Sequence, residues 1–120
     1  MADELTLRVN LDFEKDGTVH SLRLGPTDYD VTGTTPLRNR QTIGTSEEAV
    51  VVGDAGAGGF FMGINRDDTN FIELRAGSGL ADLIKIGPGE PCLFRLASGV
   101  TLYAIADTAA CELEYVILPA

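Results

Sequence analysis

Leu5, Leu7, Val9, Leu11 and Phe13 alternate strictly with Thr6, Arg8, Asn10 and Asp12. A repeat of two puts all five apolar side chains on one face of an extended chain and the polar ones on the other; a helix does not sort them this way. The spacing predicts a strand with one wet face. Asp16-Gly17 then supplies a turn, and His20, Leu22 and Leu24 resume the alternation against Ser21 and Arg23. The two runs are expected to pair as a hairpin that Gly25-Pro26 ends.

The rest of the chain reads as further short strands. From Thr27 to Thr45 it is polar, with Val31, Leu37 and Ile43 too sparse to define a face, and a strand or two with long loops is expected there. Ser46 to Val51 is the nearest approach to a helix. Its three consecutive valines, Val50 to Val52, favour a strand instead, and Ala49 to Val52 is expected to be buried on both sides. The tract Ala55-Gly56-Ala57-Gly58-Gly59 is not followed by Lys-Ser or Lys-Thr, so it reads as a hairpin loop and not as a phosphate cradle.

Phe60 to Asn65 and Asn70 to Leu74 flank a polar turn at Arg66-Asp67-Asp68-Thr69, and Leu83 to Ile86 gives another strand before Gly87-Pro88-Gly89. Cys92 to Leu96 is expected to join Val100 to Ala106 as a hairpin through Ala97-Ser98-Gly99. In the last strand, Cys111, Leu113, Tyr115 and Ile117 alternate with Glu112 and Glu114. About eight to ten short strands at this regular spacing predict an all-β fold, an antiparallel β-sandwich of jelly-roll type. With 120 residues the chain is expected to form a single sandwich domain over residues 1–120.

Charge narrows the partners. Eighteen acidic against nine basic residues give a net charge of −9, which repels phosphate backbones and anionic lipid, so neither nucleic acid nor a membrane is an expected partner. Met1-Ala2-Asp3-Glu4 has no basic or apolar signal region, which points to synthesis in a cytoplasm. Cys92 and Cys111 are too few for a disulfide framework and are expected as small buried thiols, with a single bridge or a reactive thiol as the alternatives.

Little in the sequence suggests catalysis. His20 is the only histidine, which removes multi-imidazole metal sites, and its place in register with Leu22 and Leu24 predicts a half-buried structural side chain. Asp67 and Asp68 with Asn65 and Asn70 lack the spacing of a calcium loop and fit turn chemistry. Glu73, Glu112 and Glu114 could pair for glycoside chemistry, but three Tyr, five Phe and no Trp leave little to stack a sugar. No catalytic residue, metal or cofactor is expected. Arg38 and Arg40 with Arg66 form the one basic cluster, suited to an acidic patch on a partner.

The sequences Gly59 to Leu74, Lys85 to Leu96, Leu102 to Ala110 and Leu113 to Leu118 carry an Asn-bearing turn between strands, a Lys-Ile-Gly-Pro-Gly-Glu turn and a closing Glu-Tyr-Val-Ile. In this pattern the chain resembles small structural proteins of tailed bacteriophages, over about residues 58–118. The resemblance implies a non-enzymatic virion component, and the size and acidity fit a capsid decoration or cement protein best. Such a protein would bind the major capsid protein on the outer surface of the shell and self-associate, as a homotrimer on a local threefold. A shell-binding face needs exposed apolar or Arg-bearing positions, and Tyr29, Leu37, Arg38 and Arg40 are the candidates. The alternatives are a tail, head-fibre or adaptor component of the virion, or a small carbohydrate- or protein-binding module.

Overall fold

The computed structural model describes residues 4–55 and 59–119. The chain divides into two compact units, Met1–Thr32 and Gly33–Ala120.

The first unit is a long antiparallel hairpin of β1 (Leu5–Lys15) and β2 (Thr18–Tyr29). Asp16 and Gly17 close it with φ of 51° and 81°, the two positive values a tight hairpin turn with the right twist requires. Its register sets Val9 opposite Leu24, Leu11 opposite Leu22 and Phe13 opposite His20, so one face is apolar. The other face carries Asp12 opposite Ser21, whose hydroxyl donates to the Asp12 carboxylate at 2.7 Å, with Arg23 bonded to the same oxygen at 3.1 Å.

Two expectations are corrected here. Gly25-Pro26 does not end the hairpin: β2 continues to Tyr29 because a shift of register between Leu7 and Val9 absorbs the extra residue. A bulge is where a strand tolerates proline and a glycine at positive φ, and Gly25 has φ 87° beneath the Leu7 carbonyl. His20 is exposed instead of half-buried, and Phe13 opposite it is itself 47% exposed.

The second unit is an antiparallel β-sandwich. Its strands are β3 (Leu37–Ile43), β4 (Glu48–Ala49), β5 (Phe60–Asn65), β6 (Ile72–Arg75), β7 (Asp82–Ile86), β8 (Pro91–Arg95), β9 (Tyr103–Ala106) and β10 (Cys111–Ile117). Two four-stranded sheets form, ordered β3-β10-β5-β8 and β4-β9-β6-β7. Their inner faces share one core, in which Phe61, Leu113, Tyr115 and Ile117 of the first sheet join Ile72, Leu74, Ile86 and Ala104 of the second. The Phe61 ring stacks between Phe94 at 5.0 Å and Tyr115 at 5.2 Å. The alternation of β10 is realised as expected, with Cys111, Leu113, Tyr115 and Ile117 buried.

Local readings of the chain fare less well where strands change sheet. β8 and β9 do not form a hairpin: β8 pairs with β5, whereas β9 pairs with β4 and β6. The Ala97-Ser98-Gly99 turn reverses the chain, but it carries it from one sheet to the other, so that both strands present their apolar residues to the same core. Ala49 to Val52 is not a strand buried on both sides. Only Glu48–Ala49 pairs as β4, Val50 enters the core, and Val51 is 51% exposed. A short 3-10 turn at Gly53–Ala55 follows. The loop reading of Ala55 to Gly59 falls largely outside the described residues, which omit 56–58.

Asn65, at the end of β5, is fully buried and fully used. Its amide donates to the carbonyls of Asn70 and Ile86 at 2.9 and 3.1 Å, and its side-chain oxygen accepts from the Asp67 amide at 2.9 Å. Asp67 in turn accepts from the amides of Asn70 and Thr69, bonds that hold its carboxyl below the usual aspartate range. The acidic turn is thus a capped sheet-to-sheet crossing, as turn chemistry predicts.

Candidate functional site

Residues of β3, β10, β5 and β8 that do not point into the core form the outer face of the first sheet. The register runs Arg40, Glu114, Ile64 and Pro91 across the strands in one row, and Arg38, Val116, Met62 and Leu93 in the next. Met62 is 56% exposed and Leu93 37% exposed, so the centre of this face is an uncovered apolar stripe. A shallow depression of about 270 Å³ between Arg38, Met62, Ile64, Arg66, Pro91 and Glu114 lies within it.

Charged side chains border the stripe along β3 and β10. The Glu114 carboxylate is clasped by two guanidinium groups, Arg66 Nε at 2.8 Å and Arg38 Nη2 at 3.1 Å. Glu112 accepts from Arg40 Nε at 2.9 Å and from the Thr42 hydroxyl at 2.5 Å. Hydrogen bonding lowers both carboxyls below the usual glutamate range, chiefly from Arg66 and then Arg38 for Glu114, and from Thr42 and then Arg40 for Glu112. Three arginines face two glutamates, so this border is locally positive on an acidic chain. On the same face, toward the β8 edge, Arg95 lies over the Phe60 ring at 5.1 Å.

The four residues singled out from the sequence separate in the structure. Arg38 and Arg40 stand together on the outer face of β3, an edge strand, and already hold acidic partners within the chain. Leu37 packs against the core from the inner face. Tyr29 closes the other unit, opposite Leu5 at the end of β2. The Thr27 to Thr45 segment holds the end of β2, a connection over residues 30–36 and β3, in keeping with the strand or two and loops expected there. Sequence reasoning passed over Met62, Leu93 and Val116, although Phe60 to Ile64 is apolar at successive positions. A strand that is apolar on both faces needs a cover on each.

Among the described residues no group of three His, Cys, Asp or Glu side chains is placed to hold a metal ion, and no helix is long and apolar enough to cross a membrane. Cys92 and Cys111 are free thiols. Burial pushes the Cys92 thiol up to about 11 and raises that of Cys111 as well, so neither is tuned as a nucleophile. The arrangement offers a flat, partly apolar contact surface with a guanidinium border, chemistry that suits docking. No protein-family model matches the chain, no curated protein matches its sequence, and no solved structure matches its fold.

Proposed function

We propose that the chain is a non-enzymatic structural protein of a tailed-phage particle, a decoration or cement protein that seats the outer face of the β3-β10-β5-β8 sheet on the major capsid protein. The observation that carries this reading is the stripe of exposed Met62 and Leu93 with half-buried Val116 beside the arginine border of β3. Apolar contact area ringed by charge is the anatomy of a protein interface. The resemblance of residues 58–118 to small phage structural proteins supplies the particle. Two four-stranded antiparallel sheets, ordered β3-β10-β5-β8 and β4-β9-β6-β7, are compatible with the jelly-roll sandwich expected of such a protein.

Both the particle and the docking face can be tested on virions. Quantitative mass spectrometry of purified virions is expected to find this chain in numbers comparable with the major shell protein. A few copies per particle would move it to the tail, a head fibre or an adaptor, and absence would overturn the virion reading. Met62→Glu with Arg38→Ala is expected to abolish rebinding to stripped particles while leaving the melting temperature close to wild type. Undiminished rebinding would place the contact on another face.

A further inference from the structure

We infer that the apolar face of the β1-β2 hairpin is a homotypic interface, covered by the same face of a second copy of this chain. The inference goes beyond the capsid reading above and departs from the homotrimer expected of it, since a face that meets its own copy about a twofold axis pairs chains.

The hairpin is a two-stranded sheet by itself, and its strands are 11 and 12 residues long. A lone hairpin is marginal in water, because only a second layer over its apolar face repays the ordering of so many residues. On this face Val9, Leu11, Phe13, Leu22, Leu24 and Tyr29 are between 37% and 56% exposed. Six side chains of this size, about half exposed, leave roughly 500 Å² of mostly apolar surface in one patch, near the upper limit for a monomeric protein. Two such patches closed on one another bury about 1,000 Å², the area at which specific interfaces begin.

Charge selects the occupant. The whole chain carries −9, so two copies repel through most of their surfaces. Between Val9 and Leu24 the apolar face holds no carboxylate: its formal charge is Lys15, at the turn end opposite Thr18, while Asp12, Glu14 and Arg23 stand at the alternate positions on the opposite face. There Asp12 is satisfied by Ser21 and Arg23, and Thr6 donates to Asp28 at 2.7 Å. An acidic chain can therefore approach itself through this face, which sets no carboxylate against a carboxylate. Every copy has the same uncovered layer, and an isologous contact about a twofold axis covers both at once.

Sedimentation velocity of the full chain over a concentration series tests the inference without any particle, so its failure is distinct from failure of the capsid reading. Wild type is expected to sediment as a dimer or a higher assembly. Leu11→Lys with Leu22→Lys is expected to yield single chains. Val19→Lys, on the opposite face beside Glu14, is expected to leave the assembly intact. Because the double variant could lose the hairpin itself, hydrogen exchange of wild-type β1 and β2 is followed alongside, and protection should rise with concentration. A wild-type chain that stays single at every concentration, an assembly that survives the double variant or dissolves with Val19→Lys, or protection independent of concentration would each overturn it.

Discussion

Glu47 accepts a hydrogen bond from Arg75 Nη1 at 2.7 Å, joining the loop before β4 to the end of β6. The same carboxylate accepts from the Ser78 hydroxyl at 2.7 Å and the Gly79 amide at 2.9 Å, while Arg75 Nε turns to Asp82. With side chains about one-fifth exposed on both partners, this is the most sheltered ion pair among the described residues. The hydrogen bonds from Ser78, Gly79 and Arg75 lower the Glu47 carboxyl from its usual 4.5 to about 2. A depressed carboxyl binds protons less readily folded than unfolded, so its contribution is complete above pH 4.5 and fades as pH falls toward 2. Glu47→Gln should therefore melt lower than wild type at neutral pH, with the two melting temperatures converging over that acid window. Parallel curves from pH 7 to pH 2 in circular dichroism would contradict the assignment.

Tyr115 anchors the segment that follows β4. Its hydroxyl donates to the Val51 carbonyl and accepts from Asn39 Nδ2 at 3.1 Å, and its ring is buried against Phe61. Gln41 completes the tie, accepting from the Val51 amide at 3.0 Å and donating to the Ala49 carbonyl at 3.1 Å. Tyr115→Phe keeps the ring and strands the partners, which should cost about 1–3 kcal/mol. Chemical denaturation should show a lower midpoint with an unchanged slope, and hydrogen exchange at Val51 should rise. A wild-type midpoint would mean that water replaces the hydroxyl at no cost.

What could be read in advance depended on how far each signal reaches along the chain. The period of two in Leu5 to Phe13 and in Cys111 to Ile117 is local, and it placed a hairpin and a core strand correctly. Sheet membership is not local. The turns at residues 66–69 and 97–99 look alike as sequence to hairpin turns, yet each links strands of different sheets, because the choice is made by distant partners such as β10 for β5 and β6 for β9. Arg38 and Arg40 were visible as a basic pair, but their acidic partners Glu114 and Glu112 lie more than 70 residues away. Nor could alternation alone reveal that the apolar face of β1 and β2 stays uncovered, since the same pattern describes a strand with a core behind it.

Cys92 and Cys111 should behave as inert thiols. Cys111 is buried and Cys92 half-buried, and desolvation raises both thiols, Cys92 to about 11, so little thiolate exists at pH 8. A colourless disulfide reagent exchange assay at pH 8 should label the native chain slowly and the denatured chain at both cysteines. Rapid native labelling at either position would require the strand that carries it to open often.

Gly59 distinguishes a steric demand from a conformational one. It is buried at the start of β5, where its carbonyl accepts from the Leu96 amide at 3.0 Å and the next carbonyl, Phe60, accepts from Leu118 at 2.9 Å. A Cβ here would fall on the Leu118 carbonyl, part of a backbone segment that the Leu118–Phe60 bond holds in place, while the Leu96 bond fixes Gly59 itself. Gly59→Ala should push β5 from the chain beyond β10 and cost about 2–4 kcal/mol, a fall in melting temperature of roughly 10–20 °C. Gly99 has the opposite character, with φ 83° and nothing within 4 Å of a built Cβ. Gly99→Ala meets only the backbone penalty of the left-handed region, about 1–2 kcal/mol. Thermal unfolding of the two variants side by side should separate them clearly. Equal losses would show that residues 118 and 119 yield to the methyl group, and that the close approach at Gly59 does not hold the end of the chain to β5.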